Sequence, residues 1–174
     1  MSASDVKWKD PAVPRTVVQV IPVSKRDKTF LMLHRSKTVR SAADCWSFPS
    51  GLHEIGEDLG RSICREVYEE LNLTVLAQDI ELVGCYENIA GDEPGKEQYH
   101  WVILMYVAFV DSFDDIINNE PDKHDEVLML PIARLQDDLP DDYMFHSTLA
   151  EWLKGNQFDI YAAIDSNLSF IHGI

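Results

Sequence analysis

The amino-acid sequence predicts a single α/β domain, and three observations lead to that prediction. The chain of 174 residues is long enough for one domain with a proper core. Runs of β-branched and aromatic residues, which favour strands, recur along it and are interrupted by one acidic segment with helical spacing. No repeat, low-complexity tract or linker divides residues 1–174, so we expect its strands and helices to form one domain.

Strand-forming segments lie on both sides of the acidic helix. Residues 1–14 are polar and contain two prolines, which predicts a loose lead-in. The first two strands are joined by the polar turn 24–28 and are expected to form a hairpin. The predicted strands, in chain order, are 15–23, 29–35, a part of 74–89, 99–110 and 126–131. The predicted helices are 57–71, 146–154 and 158–164, and the predicted loops are 36–44, 90–97 and 113–124.

Three glutamates of the first predicted helix crowd one of its faces. A helix turns by about 100° per residue, so Glu69 and Glu70 both lie within about 60° of Glu66. Close carboxylates repel one another unless water or cations neutralise them. A solvated, acidic surface helix is one interpretation of this pattern. A site for Mg²⁺ or Mn²⁺ is the other, because both cations prefer clustered oxygen donors.

Charged partners and an apolar stripe support this helix. Arg65 and Glu69 are four residues apart, so the guanidinium can brace the acidic face. Glu57, near the start of the predicted helix, is favoured there by the helix dipole and can also pair with Arg65. We expect the neighbouring apolar stripe to be buried, and it consists of Ile63, Cys64, Val67 and Leu71.

Residues 51–73 resemble the Nudix box, G-x5-E-x7-R-E-U-x-E-E-x-G-U, in which U is aliphatic. The sequence matches every fixed position except Asn72, where the family has glycine. Both residue types tolerate the positive φ at which helices commonly end, so the departure is mild. With the preceding segment WSFPSG and the strand-rich second half, the resemblance to the Nudix hydrolase superfamily extends over nearly the whole chain.

The resemblance implies a fold, a reaction and a set of ligands. The fold is a mixed β-sheet sandwiched between α-helices, an α/β/α sandwich. The reaction is hydrolysis of a pyrophosphate bond in a nucleoside diphosphate linked to another moiety, with Mg²⁺ or Mn²⁺ as cofactor. The implied metal ligands are the carbonyl of Gly51 and the carboxylates of Glu66, Glu69 and Glu70. Glu57 and Arg65 match a supporting salt bridge, and the group that activates water is left open among Glu66, Glu69, Glu120, Asp125 and Glu126.

The second half is similar to MutT-type enzymes that convert (d)NTPs or modified nucleotides to NMP and pyrophosphate. The segments 99–102 and 120–123 carry this similarity. It implies that Arg35 faces the phosphates, although a solvated arginine at a strand end fits equally well. The other candidate substrate-binding residues are Trp46, Phe48 and Glu120, with core packing as the alternative for the two aromatic side chains.

Other functions stay open at the level of sequence. Within the resemblance, the substrate can instead be ADP-ribose, a dinucleoside polyphosphate or an RNA cap. A non-catalytic module that senses nucleotides is a further alternative, although such modules usually lose a box glutamate or the arginine, and all are present here.

Charge and composition bound the partners and the compartment. The net charge of −15 disfavours non-specific binding to nucleic acid, which requires clustered Lys and Arg, and leaves a small-molecule nucleotide as the expected partner. Three cysteines without disulfide or metal-ligand spacing indicate reduced thiols. With no apolar segment near Met1 and no run long enough to cross a bilayer, we expect a cytoplasmic protein without membrane contact. A homodimer is compatible with the family.

Overall fold

A computed structural model of the protein describes residues 13–90, 99–136 and 139–169, and every structural statement below refers to this part of the chain. The predicted lead-in and almost all of the predicted loop 90–97 lie outside the described residues. The strands are β1 Arg15–Ser24, β2 Thr29–Arg35, β3 Trp46–Ser47, β4 Ser50–Leu52, β5 Ile80–Ala90, β6 Tyr99–Val110 and β7 His124–Pro131. The helices are α1 Leu59–Leu71, α2 Leu139–Asp142 and α3 Ser147–Ser169, with 3₁₀ turns at Ala77–Asp79 and Ile132–Gln136.

The described strands form one mixed sheet of seven strands. Its main path runs β3-β2-β1-β6-β5, while β4 pairs with β1 and β7 pairs with β2. Only the long β1–β6 pair is parallel, from Arg15 opposite Trp101 to Ser24 opposite Val110. The predicted hairpin of β1 and β2 is confirmed, with Val23 opposite Phe30. The last strand begins at His124, two residues before the predicted start.

The sheet has a helix on each face, as the α/β/α prediction requires. Successive side chains of a strand point to opposite faces. One set of alternating strand residues packs with α3, namely Ile21, Val23, Phe30, Met32, Met105, Val107 and Phe109. The other set packs with α1, namely Val18, Val20, Leu31, Leu33, Tyr106, Ala108 and Val110. Burial on both faces explains why β1 and β6 read as continuous apolar runs in the sequence.

Helix α1 is bounded by two polar caps. It begins at Leu59, because the Asp58 side chain accepts a hydrogen bond from the Arg61 N–H at 2.9 Å and caps the first turn. The predicted start at Glu57 was therefore two residues early. At the other end Asn72 has φ 55° and ψ 24°, the left-handed conformation expected for the residue that replaces glycine. Of the predicted apolar stripe, Ile63, Val67 and Leu71 are fully inaccessible, whereas Cys64 is only partly buried.

The two helices predicted after residue 146 are one continuous helix, α3. We predicted a break because the polar segment 154–157 interrupts the apolar pattern. That prediction was wrong. In the structure the helix continues through this segment, where the side chain of the half-buried Asn156 donates to the Trp152 carbonyl at 2.8 Å one turn earlier. Within the described part of the chain, no helix combines the length and the apolar character that crossing a membrane requires.

Candidate active site

Gly51 and Glu66 lie in close contact where β4 meets α1. Gly51 pairs with Val18 of β1, which fixes its backbone against the sheet. The carboxyl group of Glu66, from the second turn of α1, fills the space where a β-carbon of residue 51 would stand. Glycine is therefore required here by the close approach of a carboxylate. The Gly51 backbone and the Glu66 side chain, both predicted ligands, are brought together.

Arg65 joins the loop before α1 to the acidic face of the helix. Its Nε and Nη2 donate to the two carboxylate oxygens of Glu57 at 2.9 and 3.0 Å, a bidentate pair. Nη1 donates to Glu66 at 2.6 Å and to Glu69 at 3.3 Å, and Nη2 also reaches the Leu52 carbonyl at 3.0 Å. The Arg65 hydrogen bonds hold the pKa of Glu57 at about 2, so Glu57 is ionised. The geometry contains the salt bridge that the sequence implied.

Two further polar residues extend this network behind Glu57. The hydroxyl of Ser62, a fully buried residue of α1, donates to Glu57 Oε2 at 2.7 Å. His53 Nδ1 lies 2.8 Å from the same hydroxyl, and because that oxygen donates to Glu57, the imidazole N–H donates to it. Ser62 precedes Glu66 by four residues, so helical spacing places it on the carboxylate face. It was not among the predicted site residues.

Glu70 is the most buried carboxylate of the site. Its side chain is 4% exposed and accepts one described hydrogen bond, from the Ser50 N–H at 3.2 Å. Burial, followed by the charges of Glu120 and Glu66, raises the pKa of Glu70 to about 8. Burial also raises the pKa of Glu66. Two adjacent, desolvated carboxyl groups are stable as anions only if a cation lies beside them.

Glu120 and His124 complete the site from outside the Nudix box. Among the described residues, one set of three side chains has ligand atoms that all lie within 4.8 Å of one another, and it consists of Glu70, Glu120 and His124. His124 is 2% exposed. Burial and the nearby Arg35 charge lower the pKa of His124 to about 4, so its imidazole is neutral at neutral pH. His124 was not predicted from the sequence, although its spacing of four residues from Glu120 within a polar turn was visible.

Backbone hydrogen bonds fix the segment that carries Glu120 and His124. The N–H groups of Ile117 and Asn119 donate to the carbonyls of Leu71 and Glu70, at 3.0 and 2.9 Å, and so attach the segment to the end of α1. The His124 N–H then donates to the Glu120 carbonyl at 2.9 Å, which closes a turn. These contacts place a loop that is distant in sequence directly beside Glu70.

The predicted substrate-binding residues differ in accessibility. Arg35 is partly buried, and its Nε donates to the Ser41 carbonyl at 3.0 Å. Burial lowers the pKa of Arg35 and the charges of Glu70 and Glu120 raise it, which places the guanidinium near the carboxylates. Trp46 is partly buried and stacks edge-on against His34, with ring centroids 5.0 Å apart. Phe48 is 1% exposed and lies in the core, so its ring offers no free face in this structure.

The remaining predicted acids do not belong to the set of Glu70, Glu120 and His124. The Glu69 side chain is 54% exposed and contacts Arg65. Asp125 lies 2.6 Å from His34 Nδ1, and Glu126 is exposed on β7. The structure therefore groups Gly51, Glu66, Glu70 and Glu120 more closely than it groups these three acids with the site.

A divalent cation fits the donors at this site. Glu120 Oε2 and His124 Nδ1 are buried and have no hydrogen-bond partner in the described part of the chain, which is rare for polar atoms in folded proteins. Carboxylate oxygens and a neutral imidazole are groups that bind divalent metals. Both unpaired atoms belong to side chains grouped with Glu70. The residues present could therefore hold a metal ion.

Comparison with known proteins gives the family. The NUDIX domain family matches residues 13–153. A MutT NUDIX hydrolase from Burkholderia pseudomallei is 27% identical over 70% of this chain and 85% of its own, with a TM-score of 0.57. The MutT protein of Methanosarcina mazei Go1 is 17% identical, covers 81% of this chain and 91% of its own, and gives a TM-score of 0.62. No significant match was found among curated proteins.

The matched region contains the sheet, the loop with Gly51 and the helix with the carboxylates. The acidic residues of the candidate site lie on one helix and one neighbouring loop within or beside this matched region. The chain belongs to the NUDIX domain family, and it is a Nudix hydrolase. Membership supports hydrolysis of a pyrophosphate bond in nucleotide-like substrates.

Proposed function

We propose that the protein hydrolyses a (d)NTP or a modified nucleotide to NMP and pyrophosphate in the presence of Mg²⁺. The observation that carries the proposal is the grouping of Glu70 with Glu120, beside Glu66 and Gly51. Glu70 is buried, and several carboxylates in a desolvated site need a cation to remain ionised. When bound, Mg²⁺ would screen the phosphate charges and lower the pKa of a water molecule. Mn²⁺ is the alternative cofactor.

Four residues are proposed to hold the cation. They are Gly51, through its carbonyl, and Glu66, Glu70 and Glu120, through their carboxylates. Arg65 positions Glu66 through its 2.6 Å hydrogen bond and is itself held by Glu57. Glu69 is proposed as an outer ligand or a proton acceptor, because it is exposed and beside Arg65. Glu66 is the other candidate to accept the proton of the attacking water, since burial raises its pKa.

Arg35 and Trp46 are proposed to bind the substrate. The Arg35 guanidinium lies near Glu70 and Glu120, so it can pair with a phosphate that approaches the cation. Trp46 is partly exposed at the strand before the box and can stack on a base. The solved structure of the Escherichia coli dihydroneopterin triphosphate pyrophosphohydrolase is 22% identical over 70% of this chain and 84% of its own, with a TM-score of 0.50. We therefore include dihydroneopterin triphosphate, the substrate that names that enzyme, among the compounds to be tested.

A substrate screen with product identification tests the proposal. Purified protein with Mg²⁺ is incubated with canonical and oxidised (d)NTPs, dihydroneopterin triphosphate, ADP-ribose, dinucleoside polyphosphates and capped RNA, and the products are resolved by ion-exchange chromatography. We expect a monophosphate and pyrophosphate from a triphosphate substrate. Preferential cleavage of ADP-ribose, a dinucleoside polyphosphate or an RNA cap would reject the substrate class. Tight nucleotide binding without any turnover would instead identify a sensing module.

Cytoplasmic location and oligomeric state are tested separately. We propose that the protein is cytoplasmic and that its partner is a small-molecule nucleotide. We also propose that it does not bind nucleic acid in general, because its net charge is −15. Homodimer formation is compatible with the family, and sedimentation equilibrium decides it. Fluorescence microscopy of a tagged chain and a filter-binding assay with duplex DNA test the other two statements.

A further inference from the structure

His124 is a buried imidazole that neither the sheet nor the Nudix box explains. It begins β7 opposite Arg35 of β2, and its side chain turns into the carboxylate site. The residue is 2% exposed, and its Nδ1 has no hydrogen-bond partner among the described residues. A buried histidine in a folded protein normally has a partner for each ring nitrogen. The unpaired nitrogen therefore indicates a group that the polypeptide itself does not supply.

Glu120 also has a buried side-chain atom without a hydrogen-bond partner among the described residues. Its Oε1 accepts from Lys123 Nζ at 2.6 Å, whereas its buried Oε2 has no partner within the described ranges. The third member, Glu70, accepts one described hydrogen bond, from the Ser50 N–H. Unpaired acceptors thus belong to two neighbouring side chains, and their ligand atoms lie within 4.8 Å of each other and of Glu70. An ion between them would be coordinated by all three.

Hydrogen bonds within the turn fix the positions of Glu120 and His124. The Asn118 side chain donates to the His124 carbonyl at 2.6 Å and accepts from the Glu120 N–H at 3.1 Å. Of the neighbouring cations, Lys123 binds Glu120 through Oε1 alone, and Arg35 directs its Nε to the Ser41 carbonyl. A rigid turn that holds a carboxylate and an imidazole toward a third ligand has the form of a metal site.

We propose that His124 supplies a nitrogen ligand to a divalent cation held together with Glu70 and Glu120, and that this ligand favours first-row transition metals such as Mn²⁺ over Mg²⁺. Mg²⁺ prefers oxygen ligands and water, whereas an imidazole nitrogen adds affinity for transition-metal ions. The inference rests on the proposed function, because Glu70 belongs to the cation site described above. It adds a ligand from outside the box and a preference among metals.

Electron spin echo spectroscopy of the Mn²⁺-loaded protein tests the nitrogen ligand directly. We expect the wild type to show nitrogen modulation that changes when histidine alone is labelled with ¹⁵N. The modulation should disappear in His124→Gln. It should persist in His100→Gln, a matched control in which the lost imidazole lies 3.1 Å from an exposed carboxylate, that of Glu87. If His124→Gln does not fold, the labelled wild type still decides whether a histidine binds the metal.

Titration calorimetry tests the metal preference in the same preparations. We expect His124→Gln to weaken Mn²⁺ binding by about tenfold and Mg²⁺ binding by less than about threefold. Absence of histidine modulation in the wild type, its survival in His124→Gln, or equal weakening of both cations would overturn the inference. Mg²⁺-dependent hydrolysis is measured alongside. Hydrolysis without a nitrogen ligand would leave the proposed function standing, whereas absence of both hydrolysis and metal binding would reject both.

Discussion

At the scale of single residues, the chemistry depends on how closely charged groups approach the backbone. Gly51 has room for the Glu66 carboxyl group only because it lacks a side chain. Arg65 binds Glu57, Glu66 and Glu69, so one guanidinium links the loop to the acidic helix face. These contacts need no movement of the chain to assemble the site, which is a condition for efficient catalysis.

Replacement of Gly51 by alanine should displace Glu66. The new β-carbon would overlap the Glu66 carboxyl group, so we expect Gly51→Ala to lower kcat/KM by about 100-fold, which is typical of a small misplacement of a reacting group. Steady-state kinetics and thermal melting measure the change. Gly155→Ala is the matched control, because no atom lies within 4 Å of its added β-carbon in α3. Equal kinetics for the two variants would contradict the role of Gly51.

The buried carboxyl of Glu70 predicts how stability depends on pH in metal-free protein. The pKa of Glu70 in the folded protein is about 8, against an ordinary value of 4.5. Between pH 4.5 and about pH 8, the native state therefore keeps a proton that the unfolded chain has lost. The free energy of unfolding should therefore decrease as pH rises from about 4.5 to about 8, by about 5 kcal/mol in total.

Urea unfolding in a chelator, at several pH values between these limits, checks this decrease. The Glu70→Gln variant cannot ionise at this position, so its free energy of unfolding should fall less steeply with pH than that of the wild type. Glu151→Gln, at an exposed position of α3, should follow the wild type. Parallel curves for the wild type and Glu70→Gln would show that Glu70 does not titrate in this range.

At the scale of elements, α1 and the segment after β6 form the site together. The helix supplies Glu66 and Glu70, and the segment is attached to the helix end through the carbonyls of Leu71 and Glu70. The left-handed residue Asn72 ends the helix at this junction and returns its N–H to the Tyr68 carbonyl at 2.8 Å. The end of the helix thus sets the position of Glu120 and His124.

Substitution of Asn72 should distinguish this cap from an ordinary surface residue. Alanine is disfavoured at φ 55°, so we expect Asn72→Ala to lower the free energy of unfolding by about 1 kcal/mol. Asn72→Gly, which restores the family residue, should equal the wild type or slightly exceed it. Urea unfolding measures both variants. An alanine variant as stable as the glycine variant would contradict the left-handed cap.

Sequence patterns predicted the elements better than their ends. Strands β1, β2 and β6 and the buried stripe of α1 were evident from composition and spacing. The break predicted inside α3 failed, because the helix continues across a polar segment in which the half-buried Asn156 bonds back to the preceding turn. The resemblance of residues 51–73 to the Nudix box predicted that Gly51, Glu66 and Glu70 lie together, and the structure brings Gly51 into contact with Glu66 and Ser50 with Glu70. His124 could not be placed in this way, because its contact with Glu70 depends on tertiary hydrogen bonds between distant segments.

At the scale of the whole molecule, the sandwich separates structural from chemical roles. The core on the α3 face is apolar and also takes in Phe48, whereas the α1 side carries the carboxylates at its rim. The net charge of −15 means that an anionic nucleotide gains little from the general field of the protein. Productive binding should therefore depend on cations at the site, and the activity of chelated protein should fall to background and return when Mg²⁺ is added.

The most direct test is the Mg²⁺-dependent release of pyrophosphate from nucleoside triphosphates by the wild type and by Glu70→Gln. We predict NMP and pyrophosphate as the products of the wild type and a loss of about 1000-fold or more in kcat for the variant, with thermal melting showing that it is folded. Full activity of Glu70→Gln, or a wild type that cleaves no nucleotide in Mg²⁺ or Mn²⁺, would contradict a metal-dependent pyrophosphohydrolase built on this site.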